Sequence, residues 1–95
     1  AVSYIVIGQI EQRRNRWADA LAAYQSALQI EPQNATALQH AGIASLELQN
    51  PDRATFFLER ALQRRPGDPK TRKALQRARE LSKKKPDVLR SPRTS

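Results

Sequence analysis

The stretch "ALQIEPQNA" at residues 27–35 is echoed by "ALQRRPGDP" at residues 61–69, and this displacement of 34 residues limits the fold more than any other feature of the chain. A fixed period of that length is the mark of a solenoid, whose units stack on one another because none buries its apolar face alone. Shifting the sequence by 34 places Gly8 on Gly42, Ala20 on Ala54, Ala27 on Ala61, Leu28 on Leu62 and Pro32 on Pro66. Bulky Tyr4 and Tyr24 fall on Leu38 and Leu58. The chain therefore divides into two units, 1–34 and 35–68, then a segment at 69–85 and a tail at 86–95.

Apolar spacing within each unit is helical. Tyr4, Ile7 and Ile10, then Ala20, Leu21, Tyr24, Ala27 and Leu28, mark two amphipathic helices in the first unit. Leu38, Ala41, Ile43, Ala44, Leu46 and Leu48, then Ala54, Phe57, Leu58, Ala61 and Leu62, mark two in the second. Asn15 separates the first pair, since asparagine tolerates the left-handed turn conformation. Asn50-Pro51 and Asp68-Pro69 read as an N-cap followed by proline at the first helical position, where its missing N–H costs nothing. Pro32 and Pro66 end the helices before them, because proline disfavours helical geometry in its predecessor. Gly8, Gly42, Ala20 and Ala54 are small enough to let the two helices of a pair approach closely. Residues 69–85, "PKTRKALQRARELSKKK", encode a fifth helix with Ala74, Leu75, Ala78 and Leu81 on one stripe, and Gln76 stands where the glycines stood.

The period, the helix pairs and the residues Tyr4, Ile7, Gly8, Ala20, Tyr24, Ala27, Pro32 and Leu38, Ala41, Gly42, Ala54, Leu58, Ala61, Pro66 resemble the tetratricopeptide repeat (TPR) family, over residues 1 to 82. Glu11 and Ser45 depart from it where the family often has tyrosine, and Ala41 replaces a larger aliphatic. The resemblance implies an all-α, right-handed α-α hairpin solenoid of two TPR units, and the fifth helix is similar to the capping helix of such arrays. The tail 86–95 is short, polar and broken by two prolines, and is expected to be disordered.

The resemblance also implies a protein-interaction module whose first helices line a concave groove for a partner's peptide. By helical spacing the groove takes Val2, Ile5, Val6, Gln9, Gln12 and Arg13, then Thr36, Gln39, His40, Ile43, Leu46 and Glu47, then Lys70, Lys73 and Arg77. The residues expected to matter most are Ile5, Gln9, Gln12, Gln39, His40, Ile43, Lys70, Lys73 and Arg77. Some chaperone-binding members hold a C-terminal carboxylate on these helices. The corresponding places here are Ile5, Gln9, His40, Lys70 and Ala74, and only Lys70 agrees, which argues against a carboxylate clamp.

Charge and composition narrow the partners. Residues 1–59 hold four basic and six acidic residues, whereas residues 60–95 hold thirteen and three, so the whole net charge of +8 comes from the C-terminal third. That end suits an acidic protein segment. An anionic polymer (RNA, DNA or acidic lipid) bound through the basic helix and tail is the alternative. Nucleic acid ranks behind protein, because Trp17 and Phe57 read as packing residues and leave only Phe56 for stacking. With no cysteine, one histidine and no paired carboxylates or phosphate-binding loop, nothing reads as a catalytic centre, a metal site or a cofactor site, and His40 reads as a packing or hydrogen-bonding residue. No apolar run approaches the roughly 18 residues of a membrane span. The lack of cysteine fits the cytoplasm and equally a periplasmic domain without its signal. The chain has no methionine and begins inside a helical pattern, so it reads as a piece of a longer protein. Apolar Val2, Ile5 and Val6 are expected to be poorly protected at the N-terminal end, which offers a route to self-association or homo-oligomerisation.

Overall fold

A computed structural model describes residues 2–84. Five helices follow one another: α1 (Val2–Arg13), α2 (Trp17–Ile30), α3 (Ala35–Glu47), α4 (Pro51–Arg64) and α5 (Pro69–Lys84). Each packs chiefly on its neighbours in sequence, and the described residues contain no strand. Ala1, the side chains of Val2 and Lys84, Lys85 and the tail 86–95 lie outside the described residues.

The punctuation of the helices repeats with the sequence. Asn50 caps α4 by accepting from the Arg53 N–H at 3.2 Å, with Pro51 at its first position, and Asn34 caps α3 by accepting from the Ala37 N–H at 3.0 Å. Asp68 does the same for α5, its Oδ1 accepting from the Lys70 N–H at 3.2 Å. Between the helices of each pair, the Arg16 N–H donates to the Glu11 carbonyl at 2.8 Å and the Asn50 N–H to the Ser45 carbonyl at 2.9 Å. Both closures require a left-handed residue just before the donor, Asn15 at φ 60° and Gln49 at φ 63°. Asparagine accepts that conformation more readily than glutamine, whose Cβ crowds the backbone. Gln49→Gly is therefore expected to stabilise the domain by about 0.5–1 kcal/mol, the left-handed penalty outweighing glycine's greater unfolded-state entropy. Urea denaturation checks it, and a lowered midpoint contradicts it.

The core comes in two parts. Ile5, Leu21, Tyr24, Ala27, Leu38, Ala41 and Phe57 belong to the first, spread over α1, α2, α3 and the middle of α4. Leu46, Ala54, Leu58, Leu75 and Ala78 form the second, which fastens α5 to the α3–α4 pair. Within each pair the expected close approach occurs at glycine. A Cβ on Gly8 would lie 2.7 Å from Tyr24 Cζ, and one on Gly42 would lie 2.5 Å from Leu58 Cγ.

The first helix departs from the expected pattern. Its apolar residues Tyr4, Ile7 and Ile10 are 41–46 % exposed, and Val6 is exposed as well, whereas Ile5 is buried. Their counterparts 34 residues on, Leu38, Ala41 and Ala44, are at most 2 % exposed, because α2 lies against that side of α3. Among the described residues nothing occupies the same side of α1. Apolar periodicity reports which residues share a stripe, and the neighbour alone decides whether the stripe is covered. Ser45, where the family often has tyrosine, is fully buried, and its hydroxyl is satisfied by donating to the Ala41 carbonyl at 2.9 Å.

Candidate partner-binding groove

The first helix of each pair and α5 supply one surface, and three of the residues expected on it turn inward. Ile5 is 8 % exposed and packs in the first core cluster, Leu46 is 4 % exposed and packs in the second, and Gln39 is 9 % exposed. All three are corrections: these side chains fasten the helices under the groove and offer it little surface. The Gln39 amide donates to Asp68 Oδ2 at 2.7 Å and to Thr71 Oγ1 at 2.8 Å, and the Thr71 hydroxyl donates in turn to Asp68 Oδ2 at 2.8 Å. This closed set of polar contacts ties α3 to the first turn of α5. The Thr71 hydroxyl bond, the backbone N–H groups of Lys70 and Thr71 and the nearby Arg65 charge hold the Asp68 carboxyl below its usual range, against the opposing effect of partial burial.

Above this floor the remaining residues form a row. The Gln9 side-chain amide meets His40 Nε2 at 3.5 Å, bringing α1 to α3. The His40 ring stacks on Tyr24, with centroids 5.3 Å apart and planes 17° apart, and the fully buried Tyr24 donates its hydroxyl to Gln12 Oε1 at 2.8 Å. Burial pushes the Tyr24 phenol up to about 12. Burial also lowers the His40 pKa, and the Lys70 charge lowers it further, so the imidazole is held neutral with its Nδ1 buried and without a hydrogen-bond partner. Gln9, Gln12, His40 and Ile43 are half-buried, and Lys70, Lys73 and Arg77 are exposed. The surface thus runs from uncharged amide and imidazole groups on α1 and α3 to cations on α5.

Such a surface can pair with the backbone of an extended segment through its amides, seat an apolar side chain beside Ile43 and attract carboxylates at its basic end. Ala74, one of the places compared with a carboxylate clamp, is packed against the second core cluster. Among the described residues no group of three or more His, Cys, Asp or Glu side chains could hold a metal ion, and no helix is long and apolar enough to cross a membrane. Phe56 lies apart from the groove, 56 % exposed, with its ring edge-on to Phe57 and Arg60 over its face at 5.5 Å. Trp17 opens α2 and packs against the first cluster.

Sequence reasoning did not find the part played by Tyr24, Asp68 and Thr71. Tyr24 was placed in the core by spacing, and its hydroxyl, the one polar atom that reaches the groove, carries no periodic signal. Thr71 had a signal, since a hydroxyl three residues after a helix-capping Asp is placed to bond it.

The neutral imidazole has a consequence in acid. Because the folded-state pKa of His40 lies below the unfolded value near 6.5, its contribution to stability is complete above about pH 6.5 and is lost as pH falls from there through the folded pKa. Unfolding midpoints are expected to fall as pH drops below about 6.5, and His40→Gln is expected to flatten that decline. A His40→Gln variant with the full slope would show that another group is responsible.

Comparison with known proteins adds one finding: a family model described as tetratricopeptide repeat matches residues 13–78, from the last residue of α1 into the second half of α5.

Proposed function

Because the chain belongs to the tetratricopeptide repeat family, whose members generally mediate protein–protein interaction and are typically not enzymes, we propose that it binds a partner's peptide segment in the groove of α1, α3 and α5. The observation that carries this reading is the row Gln9, His40, Lys70, which draws the alternate helices α1, α3 and α5 into one polar surface over a buried floor. Its basic end favours a partner with acidic residues.

The test uses partner capture with the wild-type chain, with Ile43→Glu, and with Lys70, Lys73 and Arg77 all reversed in charge. Ile43→Glu sets an anion in the apolar part of the groove and the triple change inverts its basic end. Loss of the captured proteins in either variant is the expected result. Retention of all of them in both variants places the binding surface elsewhere.

A second reading rests on α5, where seven basic residues accompany one acidic residue. An anionic polymer bound there would lose affinity steeply as salt rises, whereas a peptide held by apolar contacts and amides responds weakly. The exposed Tyr4, Ile7 and Ile10 also favour self-association through α1. Light scattering over a concentration range, repeated with Ile7→Glu, tests it: a mass that never rises with concentration removes that reading.

A further inference from the structure

A second surface lies beside this groove and shares Lys73 with it. Between α4 and α5 a cleft of about 490 Å³ has Leu62 and Leu75 at its floor, Gln76 on its wall and Arg72, Lys73 and Arg79 around its mouth. Gln76 stands 34 residues after Gly42, and Gly42 faces Leu58 as Gly8 faces Tyr24. The cleft therefore opens on the side of α5 that corresponds to the side of α1 and α3 on which each hairpin receives its second helix. On α5 no described helix occupies it.

We propose that this cleft docks an acidic amphipathic helix from a different protein. Three features define that occupant. The position matches the one at which α2 meets α1 and α4 meets α3, which sets a helix as the shape that fits. Gln76, unlike glycine, holds the incoming helix away from the α5 backbone, so the contact is built from side chains that reach Leu62 and Leu75. The rim is cationic: Arg72 and Lys73 are exposed and have no acidic partner among the described residues, and Arg79 meets only the exposed Glu59, at 3.3 Å. Carboxylates flanking an apolar stripe complement that rim.

Neither residues 85–95 nor a second copy of α1 to α4 supplies such a helix. Residues 85–95 carry Lys85, Arg90 and Arg93 against Asp87, the same sign as the rim. The helices α1, α2 and α3 hold one acidic residue each, and α4 holds Asp52 and Glu59 among three arginines, too few carboxylates on any of them to match the rim. Nucleic acid would use the cations and leave the leucine floor unfilled, which is why a peptide is favoured.

The experiment is fluorescence anisotropy with a labelled helical peptide of about 18 residues, five helical turns, carrying leucines on one stripe and glutamates beside it. The same peptide with lysines for glutamates and a single-stranded DNA oligonucleotide of equal charge are the controls. Binding of the glutamate peptide to the full chain at low salt is expected, and the double variant Arg72→Glu with Gln76→Glu should weaken it by about tenfold or more. Both positions are exposed, glutamate at Arg72 in the first turn of α5 favours the helix dipole and glutamate at Gln76 keeps helix propensity, so the variant keeps its fold; its unfolding midpoint verifies this. Ile43→Glu, in the concave groove, should leave this affinity unchanged, which separates the two surfaces. Equal binding of the lysine peptide, undiminished binding by the double variant, or binding of the oligonucleotide alone overturns the proposal.

Discussion

Replacing Gly42 by leucine is expected to remove about 3 kcal/mol of stability, at the upper end of the usual cost of overpacking, and to lower the urea midpoint sharply. Two effects oppose each other at this position. Any side chain improves helix propensity over glycine, by up to about 1 kcal/mol for alanine. Against that, the first added atom would lie 2.5 Å from Leu58 Cγ and 2.6 Å from Leu58 Cδ2, and Leu58 is fully buried. The backbone on the far side is also close, with the Ala54 carbonyl oxygen 3.4 Å from the same point. The clash wins because it forces α3 and α4 apart along the contact that unites the two halves of the core. A domain of this size has a total stability of only about 5 kcal/mol, so the variant keeps little margin. Leu58→Ala should partly relieve Gly42→Leu, giving a double variant less damaged than the sum of the two changes. Equal midpoints for wild type and Gly42→Leu would contradict the close approach of the two helices.

Tyr24→Ala is expected to cost about as much or more, roughly 3–5 kcal/mol, as for other buried aromatic residues. The ring is fully buried, fills the space left by Gly8 and carries His40 on its face. Removing it empties the centre of the first cluster and takes away the cover that keeps the imidazole neutral. The His40 pKa, followed by NMR in whatever fraction stays folded, should therefore move back towards its ordinary value. Tyr24→Phe separates the two roles of this residue. It keeps the ring, loses only the hydrogen bond to half-buried Gln12, and should cost about 1 kcal/mol. If Tyr24→Ala proves no worse than Tyr24→Phe, the ring does not hold the first pair together.

Much of the architecture was legible because its determinants are local. Helix ends follow from Asn50-Pro51, Asp68-Pro69, Pro32 and Pro66, and close crossings from two glycines 34 residues apart. Residues whose state depends on a distant partner were harder to read. Tyr4, Ile7 and Ile10 carry the same spacing as Leu38, Ala41 and Ala44, yet only the latter have a helix against them. Gln49 takes a left-handed conformation that its side chain does not favour, and only its alignment with Asn15 signals it. On the groove, spacing assigned Ile5 and Gln39 to the surface because it measures direction around one helix. Ile5 is instead covered by packing between helices, and Gln39 is drawn down by a Thr and an Asp some 30 residues away, 29 and 32 positions along the chain.

The division of the core also bears on how the molecule opens. The α5 helix is anchored through Leu75 and Ala78 to a cluster that excludes α1 and α2 altogether, so it can detach while the first three helices stay closed. Amide protons of α5 should then exchange with solvent through a subglobal fluctuation, faster than those of α2. A ligand holding α5 would slow that exchange selectively, reporting its own binding through protection of one helix well before any change in the melting of the whole.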